Sequence, residues 1–269
     1  MNLRCCVVLL LTLVCCAGCL EQSVVIKVDD DGSAVVHVRA YAEELNLGFG
    51  DAKPDKKRKP PTEEFLNEVA AKMGNGVRFK ELRESKNSSG WDGFEILFEC
   101  EDVNQVELDL SELLSLQFEK TEKENTEEEP DKLWGARLRF KHDESSLTIM
   151  NEFPKQKAVS SSETQDPFAA SDPIPSVNPI GMSIATSIVK RVRMGVFVQV
   201  DGMQSTTAKH HQGDLVTLNR IDGARMSDTA IFELLTLGQG EPAPARLQEL
   251  ADHSKGLDWD VQPTITVQR

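Results

Sequence analysis

Residues 23–41, SVVIKVDDDGSAVVHVRAY, constrain the chain more than any other stretch. Val24, Ile26 and Val28 alternate with polar residues, and after Asp31-Gly32 the alternation resumes at Ala34, Val36, Val38 and Ala40. A period of two puts every apolar side chain of a strand on one face. Two such runs around Asp-Gly predict an antiparallel hairpin with one buried face. The chain must therefore supply a layer to cover that face. The DDDGS turn also invites a calcium reading. Counting back from Gly32 places Lys27 at the first ligand position of an EF-hand loop, where an oxygen donor is required, so turn chemistry is the expectation.

The same period recurs downstream. Val77 and Phe79 alternate, as do Phe94, Ile96, Phe98 and Cys100, which puts Cys100 among core side chains as a packing residue. Trp134, Ala136, Leu138 and Phe140 mark a further strand, turned through KHDESS into LTIMNEF. Helical spacing appears at Phe65, Leu66, Val69, Ala70 and Met73, after a capping Thr62 and before Gly74 and Gly76. A short helix is expected around 102–117. Further helices are expected on the face Ile184, Ile188, Val189 and Val192, at 227–236 and at 244–254. Residues 194–223 read as a three-stranded meander turning at Asp201-Gly202 and Gln212-Gly213-Asp214, and 259–268 as a final strand containing Pro263. Strands that follow one another through short turns imply an α+β fold of largely antiparallel sheets with helices packed on one face.

Three segments break the periodicity. Residues 51–61 are a basic, proline-bearing loop, and 119–132 are dominated by acids. Residues 156–179 are rich in Ser and Pro and read as a linker or long loop. It separates an expected N-terminal α+β lobe, 19–155, from a C-terminal α+β lobe with the meander, 180–269.

The N-terminus gives an address. Arg4 precedes an uncharged apolar run, residues 5–17. That run is too short for a spanning helix, which needs about 20 residues, and it suits a secretory signal. Cleavage after small residues favours Ala17-Gly18, ahead of Cys19. Cys16-Ala17-Gly18-Cys19 resembles the lipobox of bacterial lipoproteins, with Cys16 where Leu is usual. The resemblance implies a signal peptide over 1–18, acylation of Cys19 (palmitate or a similar chain), and attachment to the membrane through those acyl chains. Several chains at ~0.8 kcal/mol per buried CH₂ anchor firmly. The cysteines at 5, 6, 15 and 16 would leave with the signal, so Cys100 keeps no intramolecular partner. Leu20 stands where an Asp retains well-studied lipoproteins at the inner membrane. By that resemblance the chain belongs to the outer membrane and faces the periplasm. The lipobox cysteine followed by the Asp-Gly hairpin, with VQVDG and GDLVTLNRID later, also resembles a loose group of bacterial envelope lipoproteins of unassigned role, including the LppM type. No catalytic residue is carried over from it.

A formal net charge of −14 disfavours nucleic acid, whose phosphates would repel the chain. It also means that attachment to an anionic surface must come from the lipid. The sequence contains no P-loop, G-x-S-x-G, H-E-x-x-H or paired C-x-x-C. His210, His211 and Asp214 form the best local cluster. Neighbours on a strand point to opposite faces, so an exposed turn is expected there and no metal site. His37 lies on the polar face of the first hairpin without an evident partner. No catalytic residue, cofactor or metal ligand emerges. The expected role is a non-catalytic binding or assembly module of the cell envelope, recognising an envelope protein or cell-wall component. The alternatives are an anchored hydrolase with a site built from distant residues, and a carrier of a small apolar ligand.

Overall fold

The computed structural model describes residues 20–43, 60–110, 113, 116, 136–153, 179–237 and 244–269. The signal segment, Cys19, the basic and acidic loops, Trp134 and nearly all of the Ser/Pro-rich stretch lie outside the described residues.

The first hairpin forms as its alternation requires. Strand β1 (Leu20–Val28) pairs antiparallel with β2 (Ala34–Ala42), with Val28 opposite Ala34. Gly32 closes the turn at φ 83°, a left-handed conformation that glycine adopts without a Cβ clash. The Asp31 carboxylate accepts from the Ser33 amide at 2.9 Å and its hydroxyl at 2.6 Å, so that side chain is used inside the turn. The helix α1 (Glu63–Lys72) begins where Thr62 caps it, accepting from the Phe65 amide. Strands β3 (Val77–Lys86) and β4 (Asp92–Cys100) follow. Over 102–109 a 3-10 turn, Val103–Gln105, and a short strand, β5 (Glu107–Asp109), take the first half of the expected helix, while Leu110 and Leu113 beyond it are helical. Gly74 allows this approach. A Cβ there would lie 2.0 Å from the Gln105 carbonyl oxygen.

The hairpin β6 (Arg137–His142) and β7 (Ser146–Glu152) is held by an Asx turn. Asp143 accepts from the amides of Ser145 and Ser146 and from both hydroxyls. Those bonds, first of all from the Ser145 amide, hold its carboxyl down at about 2. Helix α2 (Pro179–Val189) then leads into β8 (Arg193–Val200). The expected meander does not form, because β8 pairs directly with β11 (Leu215–Asp222). The excursion between them sends β9 (Ser205–Thr206) to a second sheet and leaves only β10 (His211–Gln212) beside β11. After α3 (Asp228–Leu237) and α4 (Pro244–His253), the expected last strand is two strands. β12 (Leu257–Trp259) joins β11, and β13 (Thr264–Gln268) joins β7 in the other sheet. Proline lacks an amide and interrupts a ladder, and Pro263 falls between the two.

One sheet runs β10-β11-β8-β1-β2-β4-β3, with β12 also on β11, and the other runs β5-β6-β7-β13-β9. Among the described residues all pairings are antiparallel except β1 with β8. That parallel pair joins residues from both sides of the Ser/Pro-rich stretch, and both sheets contain strands from each side. The two expected lobes are thus interleaved. The larger core lies between the sheets and under α1. It gathers Ile26, Val36, Ile96, Phe98, Val198, Leu138, Ile149, Ile265 and Leu66, among others. A smaller core joins Ile221, Ile231, Leu250, Leu257 and Trp259 beneath α3 and α4. Ile221 stands opposite Met194, two residues from the core-facing Val196, so it belongs to the same sheet face. The protein is an α+β fold with antiparallel-dominated sheets and its helices on one side of the larger sheet.

Two buried polar knots tie the late strands to the rest. Asp260, 1% exposed, accepts from the amides of Lys209 at 2.8 Å and Gln262 at 3.0 Å. Arg269 donates to the Asp29 carbonyl at 3.3 Å and stands 2.9 Å from His142 Nε2, next to the first hairpin turn.

Candidate functional site

Strands buried on one face leave their odd-numbered residues on the other. On β1, β2, β4 and β8 these include Val25, Val35, His37, Arg39, Tyr41, Glu95, Leu97 and Phe197. Cross-strand register places Val25 between His37 and Phe197, and His37 between Val25 and Leu97. Val25, Val35, Leu97 and Phe197 are half-buried, so this outer face is partly apolar and open.

A hydrogen-bonded cluster sits in it. His37 Nε2 lies 3.0 Å from Glu95 Oε2, the Tyr41 hydroxyl donates to Glu95 Oε1 at 2.8 Å, and Ser85 donates to Tyr41 at 3.2 Å. Arg39 Nη2 is 3.3 Å from His37 Nδ1. Arg39 Nε also lies 3.4 Å from Nε2, but Nε2 is closer to Glu95, so a neutral ring donates there to Glu95 and accepts from Arg39 Nη2 at Nδ1. Burial, then the Arg39 charge, push His37 below its ordinary value. Burial alone would raise Glu95. The Tyr41 bond and the charges of His37 and Arg39 outweigh it and hold the carboxyl below the usual range. While the ring is neutral, the Tyr41 bond, the Arg39 charge and the hydrogen bond from His37 supply that effect, and the His37 charge adds to it only after protonation. Burial raises the Tyr41 phenol.

The cluster is rigid because its backbone leaves no slack. Tyr41 is 6% exposed although it is on the open face. Its ring lies over Gly93, its cross-strand partner, where a Cβ would come within 2.6 Å of Cδ1. Phe197 covers Gly195 likewise, with Cζ 2.5 Å from a hypothetical Cβ. A ring over a strand glycine restores the packing that the glycine lacks.

The edge of this sheet is defended. β3 carries Arg78, Lys80, Glu81, Arg83, Glu84 and Lys86, and its register shifts between Phe79 and Glu81. Charges and a bulge discourage another strand from adding.

Sequence reasoning left His37 without a partner. Glu95 and Ser85 are brought to His37 and Tyr41 by pairing across 44 to 58 residues of sequence, which no local pattern shows. The signal that was present is parity, since all the strand members occupy odd positions. His210 and His211 are not brought together. His210 Nδ1 lies 3.7 Å from Asp258, which also binds Arg220, whereas His211 is exposed on β10. Among the described residues no group of three or more His, Cys, Asp or Glu converges as metal ligands. Cys100 is buried, donates to the Asp102 carbonyl at 3.1 Å, and is pushed up by burial, as a packing thiol should be. Cys19 lies outside the described residues, and no helix among those described is long and apolar enough to cross a membrane.

The fold and this face define a class: an α+β protein of two packed, antiparallel-dominated sheets with one open, polar-clustered face. Among solved structures, the NMR structure of the folded domain of Mycobacterium tuberculosis LppM is similar to this chain at 10% identity and a TM-score of 0.39, over 94% of this chain and 90% of that one. No family model matches the sequence, and no curated protein does.

Proposed function

We propose that the chain is a lipid-anchored, non-catalytic binding or assembly module of the cell envelope, held by acyl chains on Cys19. Its outer sheet face recognises an envelope protein or cell-wall component. The observation that carries this reading is the fixed cluster of His37, Arg39, Tyr41, Ser85 and Glu95 on an open face, flanked by half-buried Val25, Val35, Leu97 and Phe197. Fixed polar groups beside apolar surface suit recognition at little ordering cost. The hydrolase alternative would need a nucleophile beside its base. Ser85 instead donates to Tyr41 and Glu95, and His37 is engaged by Glu95 and Arg39. The outer membrane, facing the periplasm, is the site that Leu20 and the lipobox favour.

A photoreactive residue at Leu97 in the full chain tests the reading in intact envelopes. A discrete adduct that disappears with Arg39→Glu is expected. Uniform background labelling, unchanged by that substitution, would count against the face. Hydrolysis of an envelope substrate abolished by His37→Ala would replace this reading with the enzymatic one. Cys19→Ser should release the chain from membranes.

A further inference from the structure

Helix α2, PIGMSIATSIV, carries no charge and is strongly apolar, yet none of its residues 182–189 is fully buried. Ile184 is 47% exposed, and Phe232 on the neighbouring α3 is 41% exposed. A shallow groove of about 380 Å³ between the two helices has mixed walls, Met182 and Phe232 beside Ser183, Thr186 and Ser187, and Ile184 lies outside it. Apart from Ser183, Thr186 and Ser187 the helix is apolar; apolar helix surface normally needs cover, and exposed apolar side chains mark an interaction site where they gather.

The fold shows where this patch lies. Gly223 donates its amide to the Val192 carbonyl at 3.0 Å, and a Cβ on Gly223 would sit 1.8 Å from the Val189 carbonyl oxygen. The C-terminal end of α2 is therefore clamped against the end of β11. Four residues after Val189, β8 starts beside β1, with Arg193 level with Glu21 and Glu21 level with Tyr41. Arg191 pairs with Glu43, just beyond β2. Thus α2 ends at the same end of the sheet where the chain enters at Leu20. The tether is minimal, because Leu20 is already paired with Ala42 and successive Cα atoms are only about 3.8 Å apart. Acyl chains on Cys19 would hold this end against head groups with no linker between.

Charge allows the contact. The chain as a whole carries −14. Around this end, Lys190 pairs with Asp228 at 2.5 Å, Arg191 pairs with Glu43, and Arg193 lies within 3.8 Å of Glu21 and 3.9 Å of Asp222. The rim is thereby close to neutral, so the approach to a bilayer is not opposed there as it would be elsewhere on the surface.

We infer that the α2–α3 end is a membrane-contact surface, with Ile184 and Phe232 seated in the lipid interface that holds the anchor. This inference rests on the lipid-anchor reading. It adds an orientation, with the outer-face rows that contain Val35, Lys27 and Glu99 pointing away from the bilayer. Side-chain burial at the interface would act with the acyl chains as a second attachment signal.

The test uses the full chain in a lipoprotein-processing bacterium, with a diazirine amino acid replacing Ile184, Phe232 or, as a control on the far edge, Lys80. After irradiation of intact membranes, phospholipid adducts at 184 and 232 are expected severalfold above those at 80. Equal phospholipid labelling at all three positions, on a chain that still sediments with membranes, overturns the inference and leaves the anchor reading standing. Adducts from 184 to a second copy of this chain, or to another protein, overturn it by giving the face a different occupant. If the unsubstituted chain does not sediment with membranes, or Cys19→Ser sediments as fully as the parent, the anchor reading falls and the inference falls with it. The pair Ile184→Asp and Phe232→Asp gives a second measure. The melting temperature should be kept, because both sites are exposed, and phospholipid labelling from a diazirine at Ser187 should fall severalfold. Undiminished labelling would also overturn the inference.

Discussion

The two faces of the larger sheet are built from the same strands and behave as different materials. The inner face is continuous: Val24, Ile26, Val36, Val38, Ile96, Phe98, Val196 and Val198 are all buried in one core. The outer face mixes half-buried aliphatics with a hydrogen-bonded cluster and two glycines lying under aromatic rings. Inside, burial of area stabilises the fold, and shape can vary if volume is kept. Outside, hydrogen bonds and close backbone contacts fix positions, and little area is removed from water. The first face holds the sheet together, and the second is free to present chemistry.

The sharpest way to break this contrast is to truncate adjacent residues of β4. Phe98→Ala should cost about 3–5 kcal/mol, the range for a fully buried aromatic. Leu97→Ala, half-buried on the other face, should cost under about 1 kcal/mol. Urea denaturation of the two variants gives both values. Equal costs would mean that the outer face is covered in solution.

Gly93→Ala comes next, and it tests whether the outer face is rigid at Tyr41. The added methyl would meet the Ala40 carbonyl oxygen at 2.1 Å and the Tyr41 ring at 2.6 Å. A loss of about 1–3 kcal/mol is expected, as for overpacking a core. Tyr41 should then shift, disturbing the bond to Glu95. A neutral effect on melting would show that the ring is free to move.

Cys100→Ala probes the inner face at its rim. The thiol is buried in register with Phe98, so a cost of about 1 kcal/mol is expected. Its raised pKa and burial predict slow reaction of the native protein with a bulky thiol reagent. Fast reaction would place Cys100 at a mobile edge.

Those inner-face positions were legible in the sequence because burial imposes a period of two that needs no partner to be recognised. The same holds for α1, whose capping Thr62 and apolar spacing are local. What local pattern does not contain is pairing between distant strands. The alternation in VVIKV says that Val24 and Ile26 face inward. It does not say that β1 pairs with β8, about 170 residues away, in a parallel ladder. The same gap hid Glu95 from His37. The expected meander failed at an identifiable place. Val200 and Leu215 lie on strands that are direct neighbours in space, and the intervening residues carry β9 to the other sheet, where it pairs with β13. Apolar spacing in α2 predicted a helix correctly, but it could not show that Ile184 is left exposed while Val189 packs on the smaller core.

The smallest effect expected is a change in slope, and it belongs to the outer face alone. His37 is held below its ordinary value by burial and by Arg39. The unfolded ring titrates near 6.5, so just below that pH the unfolded chain binds more protons than the folded one. Stability then rises with pH across that window. The contribution from His37 is complete above about 6.5 and is lost as pH falls toward the folded value. Glu95, also held low, loses its contribution in a separate and more acidic window, below about 4.3. The parent midpoint should therefore fall relative to that of His37→Gln as pH drops from 7 toward 5. The Gln side chain can donate to Glu95 and accept from Arg39 without gaining a charge. The parent should show the steeper decline, while Phe98→Ala should keep the parent slope at a lower midpoint. Parallel slopes for the parent and His37→Gln would mean that the ring is not held neutral, and that the outer cluster is looser than its distances indicate.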